Sequence, residues 1–443
     1  MPSGQGSHTG SNTESSAETD DESTESGTDT GMPDLPSPLA ELIPTQTTED
    51  RENVVCERGV RLPVGGFSAL SDAPYLMPCR DTQAVPTVPV IGRLAPDLSW
   101  ASDLGPDEFG VDPPVEEMGN EEAELSFELA YVTGDADHVY AVGYVTDPLF
   151  GASAPDYTVF AVSLDSALTH EWTYRLDLDV PGGSAFAQAR PTSASWDGGS
   201  LLVLGTRSQP DLSGTFAVEV DGSGQELDYI PATEWDIGAM PFGPASAGSS
   251  VSLAQLYGGS GVYWNNDEVG VSVVGTMQWA PPQVPGNVTW HDPGPGIPPN
   301  TVGYFVTAAL DGGYWISGIA SELEQCFAIQ CEEGMGYFVH ITSGEVVEEY
   351  AIPQFLTGHA VVETENDLWF AGWGTDRAFR VERWGKSRGR AAFERSTSDE
   401  LPWSWVALAE PLGAGIIACG SHYGGPEGVG SGGVPFTTCY AFE

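Results

Sequence analysis

Seven of the fifteen positive residues fall within nineteen positions: Arg377, Arg380, Arg383, Lys386, Arg388, Arg390 and Arg395. In an extended segment, side chains alternate, so Lys386, Arg388 and Arg390 project to one side. Such a stripe could dock an acidic glycan, a phosphate or the chain's own acidic tail. The commoner use of positive residues on an outer strand is to block edge-to-edge pairing. A second cluster, Trp279, Trp290, His291 and Asp292, sits in a Pro-rich excursion at 278–300. Two indoles with an imidazole and a carboxylate could stack on a sugar or hold a cation, and long connections gathered at one rim build binding surfaces. Against this, tryptophans mostly supply packing area.

Catalytic motifs are missing. The seven histidines (His8, His138, His170, His291, His340, His359 and His422) show no metal spacing such as HExxH. Asp135-Ala136-Asp137 could open a cation loop, but an EF-hand needs Gly at the sixth position and Glu at the twelfth, and neither follows. There is no GxSxG elbow, no P-loop and no GxGxxG leading from strand to helix. No catalytic residue, metal or cofactor is therefore assigned. Asn287-Val288-Thr289 is a glycosylation acceptor only in a host that modifies exported asparagines.

Six cysteines form three close pairs, Cys56 and Cys79, Cys326 and Cys331, and Cys419 and Cys439. Without CxxC knuckles or nearby histidines, this pattern reads as three local disulfides and an oxidising compartment. Buried free thiols in a cytosolic protein are the competing reading. The chain opens Met1-Pro2-Ser3-Gly4 with no basic or apolar leader. Export then requires a signal upstream of this start.

The 443 residues carry 15 bases against 64 acids, a formal charge of −49. That charge repels polyphosphate, which disfavours nucleic acid as a partner. No run reaches the ~18 apolar residues of a membrane helix. Residues 1–50 hold eleven acids and no base among Ser, Thr, Gly and Pro, the composition of a disordered tether. The other 53 acids and 15 bases leave −38 on residues 51–443.

A repeated unit positions these groups. From about residue 127, a Gly, Asp or Asn turn leads into an apolar strand ending in Gly, at Gly143, Gly205, Gly275, Gly318, Gly372 and Gly420. A third strand follows most copies and a fourth follows several. Alternating apolar residues with a period near 45 and insertions describe four-stranded propeller blades. The expectation is an all-β propeller of six, alternatively seven, blades; an array of immunoglobulin-like sandwiches is the runner-up. Residues 51–126 are an N-terminal extension, with the Cys56–Cys79 pair, or part of ring closure; residues 127–443 are the propeller. An N-terminal strand must complete the last blade, and 85–91 is the candidate, although Pro86 and Pro89 suit only an outer edge.

Two resemblances bear on function. Ser195-x-Asp197-x-Gly199 resembles the first half of the Asp-box turn of sialidase-like propellers, with Leu201 and Leu202 where that motif has Thr and Trp. In that family the turn is structural, so the resemblance implies a fold and places no catalytic residue. The acidic Ser/Thr-rich start resembles the tether of bacterial secreted and surface lipoproteins, although the tail has no cysteine to accept a lipid. Together these give a secreted or surface propeller, a monomer that binds or scaffolds a glycan or another surface protein without catalysis. The alternative is a propeller glycoside hydrolase or polysaccharide lyase.

Overall fold

Short Asp-led turns convert the alternating segments into hairpins. Asp135 Oδ1 accepts the N–H groups of Asp137 and His138, each at 2.9 Å. Asp165 serves Ala167 and Thr169 in the same way, and Asp221 serves Ser223 and Gln225. An Asp side chain that satisfies the backbone two to four residues on specifies a tight reversal. The computed structural model describes residues 40–57, 59–61, 72–83, 88–111, 115–118, 121–124, 127–145, 159–176, 188–196, 198–209, 212–230, 242–245, 251–256, 273–278, 288–322, 333–376, 378–386, 395–398, 401–402, 404–422 and 434–443.

The chain is an all-β propeller. Six antiparallel sheets are led in turn by the strands Phe127–Gly134, Gln188–Trp196, Phe242–Ala245, Asn300–Ala308, Phe355–Glu363 and Trp405–Leu412. Successive leading strands pack on one another around an axis. The sheet of Val54–Cys56, Val60–Arg61, Tyr75–Asp81 and Val88–Leu94 touches both the last of the six and the first. Arg80 of that sheet donates to Glu128 of the first leading strand at 2.7 Å.

The repeated glycine has a specific task. Gly143, Gly205, Gly318, Gly372 and Gly420 each lie in the second strand opposite a residue of the leading strand where the pairing register shifts. A β-bulge presses the inner backbone toward its partner. A Cβ on Gly372 would collide with the Thr357 carbonyl oxygen, and one on Gly143 with the Glu128 carbonyl and the Phe160 ring. Gly275 instead lies in the third strand of its sheet, Val273–Gln278.

Between sheets the core is aromatic. Trp315, Phe338, Tyr350, Phe355, Phe370 and Trp384 fill the space between the fourth and fifth sheets. Phe370 meets Trp384 at 4.8 Å and 60°, an edge-on contact worth about 1 kcal/mol beyond burial.

Three expectations change. First, the disordered tether cannot run to residue 50. Ala40–Leu42 adds in parallel to Arg395–Ser398, and Gln46–Thr47 and Arg51–Glu52 pair with Phe436–Phe442. Unpaired outer edges there give the end of the acidic segment backbone partners; Thr45 and Thr48 donate to the Ala441 and Cys439 carbonyls at 2.8 and 2.9 Å. Residues 1–39 lie outside the described residues. Second, these short strands, and not 85–91, complete the last sheet; Val88–Leu94 pairs with Tyr75–Asp81, with Pro89 opposite Arg80. Third, the stretch 278–300 is not wholly irregular, because Val288–His291 pairs with Val273–Gln278.

Cys56–Cys79 and Cys419–Cys439 are disulfides joining residues directly opposite each other, with Cα atoms 3.9 and 4.0 Å apart. Both sit in one core cluster between the last sheet and the N-terminal one. Cys326 and Cys331 lie outside the described residues. The two bridges fit an oxidising compartment. Among the described residues, no helix is long and apolar enough to cross a membrane.

Candidate functional site

Five of the leading strands, all but Phe242–Ala245, line a cavity of ≈ 360 Å³ on the axis. That is within the usual size range of small-molecule sites. Its walls are mostly apolar, from Val132, Ala194, Val306, Ala360, Val361, Val406 and Leu408. Polar groups enter from strand ends: Thr133, Thr307, Glu363 and Glu410 from four leading strands, and Arg61 from the N-terminal sheet.

The charged groups are largely paired. Glu363 Oε1 receives Lys386 Nζ at 2.5 Å, and its other oxygen receives the Leu310 N–H at 3.0 Å. Burial pushes the Glu363 carboxyl up, but Lys386 and that N–H outweigh it and hold the group below the usual value. Glu410 Oε1 accepts a long 3.3 Å bond from the Arg61 N–H. Burial dominates there, opposed by Arg61, and pushes the Glu410 carboxyl up to about 7. The Arg61 guanidinium donates to the Pro411 carbonyl at 3.2 Å and sits 5.8 Å from the Tyr75 ring centre.

His359, on the strand Phe355–Glu363, also lines the cavity and is 5% exposed. It stacks on Phe305 at 4.9 Å and meets Phe379 edge-on at 5.2 Å. Both ring nitrogens are buried, and among the described residues neither has a hydrogen-bond partner. Burial drives its pKa down to about 3, so the ring is neutral in any physiological medium.

None of the residues singled out from sequence as ligand-binding is among the cavity-lining residues described. Arg380 is a bidentate partner of Asp376, and Arg383 binds Asp367 at 2.9 Å while covering Trp369. Lys386 bonds the cavity-lining Glu363. Arg377, Arg388 and Arg390 lie outside the described residues, as does Trp279. Trp290 pairs opposite Gly275, and His291, on the same strand, is 6% exposed with its pKa lowered by burial. The Asp135 carboxylate, weighed as a cation ligand, accepts the Trp196 indole N–H at 2.7 Å across two sheets besides its own turn. Among the described residues, no group of three metal-ligating side chains converges.

Sequence reasoning missed Arg61, His359, Glu363 and Glu410. One signal was present. Aligned on their turns, the third residue before the turn is Val132, Ala194 and Ala308 in three copies but Glu363 and Glu410 in two others. A charge at a position otherwise apolar marks a site. Nothing comparable flags His359 or Arg61, whose importance depends on closure of the ring.

No protein-family model matches the sequence, and no curated protein matches it. Among solved structures, the chain is similar to the β-propeller domain of the Trilobed protease from Pyrococcus furiosus at 9% identity, covering 83% of this chain and 91% of that one, TM-score 0.41. It is similar to the WD40 domain of SCAP from fission yeast at 7% identity, covering 86% and 82%, TM-score 0.38. The Trypanosoma rangeli sialidase in complex with sialic acid shares 12% identity over 74% of this chain, TM-score 0.37, and the matched part spans 56% of the sialidase. What those proteins cleave or bind is a property of theirs.

Proposed function

We propose that this chain is an extracytoplasmic, monomeric β-propeller that binds a ligand through its axial cavity and rim and catalyses no reaction. The Val54–Leu94 sheet serves as the seventh blade, residues 1–39 as an acidic tether, and a glycan or a surface protein as the partner. One observation carries the non-catalytic reading: of the two carboxylates in the described cavity lining, Glu363 is committed to Lys386. Two-carboxylate glycoside hydrolysis needs both groups available to the substrate. Export is supported by the two disulfides, with Cys326 and Cys331 as the third pair.

The hydrolase reading keeps one specific support. Glu410, raised to about 7 beside Arg61, can carry a proton at neutral pH as a general acid must. A glycan array run beside a panel of fluorogenic glycosides separates the two. Binding without turnover supports the module; turnover abolished by Glu410→Gln overturns it.

A further inference from the structure

Two pairs of opposite charges stand at the strand ends of the axial cavity, and they differ. Glu363 is closed on Lys386 at 2.5 Å. Glu410 and Arg61 are not closed on each other. Glu410 Oε1 accepts the Arg61 backbone N–H at 3.3 Å, while the Arg61 guanidinium turns to the Pro411 carbonyl at 3.2 Å and to the Tyr75 ring. Its charge reaches Glu410 at longer range, where it opposes the upward push of burial without cancelling it. Among the described residues, neither side chain forms an ion pair. Arg61 is exposed and Glu410 lines the cavity, so both face the space a ligand would enter. Behind them the walls are apolar, from Val132, Phe305, Val306, Val361 and Val406.

This arrangement selects its occupant. A simple amine would satisfy Glu410 but meet the Arg61 charge. A simple carboxylate would do the reverse, against the −38 carried on residues 51–443. A neutral apolar molecule would fill the interior and leave both charges unspent. A zwitterion with an apolar side chain meets all three demands and brings no net charge into the site. A cavity of ≈ 360 Å³ has room for one such molecule.

We propose that the axial cavity binds a free α-amino acid with an apolar side chain, its ammonium on Glu410, its carboxylate on Arg61 and its side chain among Val306, Val361 and Val406. The inference rests on the axial-binding reading above and adds a small molecule in the cavity to the partner at the rim.

L-Phenylalanine is the probe, titrated calorimetrically into the full chain. Three comparisons each lack one feature: phenethylamine the carboxylate, 3-phenylpropionate the ammonium, and glycine the ring. Phenylalanine is expected to bind saturably and each comparison at least about tenfold more weakly, the value of one charge-assisted hydrogen bond or one buried ring. Glu410→Gln should erase the advantage over 3-phenylpropionate, and Arg61→Met the advantage over phenethylamine. Glu410 must be ionised to hold the ammonium, so wild-type affinity should rise about tenfold from pH 6 to pH 8, while Glu410→Gln stays flat. Tyr75, Glu363 and His359, the other titratable groups nearby, are shifted away from that range. No saturable binding at millimolar phenylalanine overturns the proposal, as does phenethylamine or 3-phenylpropionate binding as tightly. So does an unchanged preference in either variant. If a variant does not fold, the wild-type comparisons decide alone. Glycan binding without phenylalanine binding would sink this inference and leave the rim reading standing. Glycoside turnover would overturn the non-catalytic reading without altering the phenylalanine titration, so the failures are distinguishable.

Discussion

Lys386 Nζ lies 2.5 Å from Glu363 Oε1 and 2.7 Å from the Thr364 carbonyl oxygen, tying the end of a third strand to the end of its own leading strand. The only lysine of the chain is therefore held by a carboxylate of the cavity lining. Arg380 and Arg383 of the same run are likewise occupied by Asp376 and Asp367.

Lys386→Met leaves the half-buried Glu363 carboxylate without its counter-ion. Removing one partner of a partly buried pair should cost about 1–2 kcal/mol, between the surface and fully buried cases. Glu363 is held below its usual pKa, so the pair's contribution is complete at neutral pH and is lost as pH falls through the carboxylate range. Urea unfolding from pH 7 downward should show a deficit that shrinks as the pH falls. The double variant with Glu363→Gln should recover part of it; a deficit independent of pH contradicts this account.

Glu410 behaves in the opposite sense. Its folded pKa of about 7 exceeds the unfolded value, so the native state holds a proton that the unfolded chain releases earlier. Stability from this group is complete below the unfolded pKa, declines as pH rises toward about 7, and is flat above. Glu410→Gln should abolish that decline and be more stable than wild type at pH 8 by on the order of 2 kcal/mol. Parallel pH profiles for the two proteins would refute the raised pKa.

Reduction of the disulfides should be costly where the last sheet meets the N-terminal one. Cys419 and Cys439, 20 residues apart, close a loop worth about 3 kcal/mol. Cys419→Ser with Cys439→Ser should lower the melting temperature by several degrees and make the wild-type sensitivity to dithiothreitol smaller. In native protein, a maleimide should label none of Cys56, Cys79, Cys419 and Cys439.

Gly372→Ala tests why the repeat ends in glycine. The added Cβ meets the Thr357 carbonyl and the Phe355 ring at the bulged leading strand, where backbone cannot retreat. Overpacking of this kind should cost about 2 kcal/mol or more. Gly413→Ala, at an open turn with φ +63° and nothing near its Cβ, pays only the backbone strain and should cost about half as much. Equal costs would show that packing against the bulge is not the reason.

The repeat was readable because local chemistry encodes it. Turn Asp residues, alternating apolar strands and a terminal Gly sit at short fixed offsets, and Cys419 and Cys439 fell opposite each other as antiparallel neighbours must. The site was not readable for a physical reason. Arg61, His359, Glu363 and Glu410 belong to three different sheets and meet only when the ring closes. Arg380 and Arg383, which stood out by type, pair with Asp376 and Asp367 within their own sheet, where spacing alone shows. Ring closure itself was misplaced because Gln46–Thr47 and Arg51–Glu52 are two-residue strands in an acidic, polar segment with no alternation to detect.

His359→Phe links the site to stability. The phenyl ring keeps the stacking with Phe305 and the edge contact with Phe379 while removing two nitrogens that have no partner among the described residues. Deleting an unsatisfied buried polar group without creating a void should stabilise the apo protein by about 1 kcal/mol or more. Most core substitutions destabilise, so a rise in the urea midpoint at constant slope would be a specific result. It would mean that the native chain retains His359 at a cost in stability. A fall in the midpoint would mean that the ring is already satisfied from within the fold.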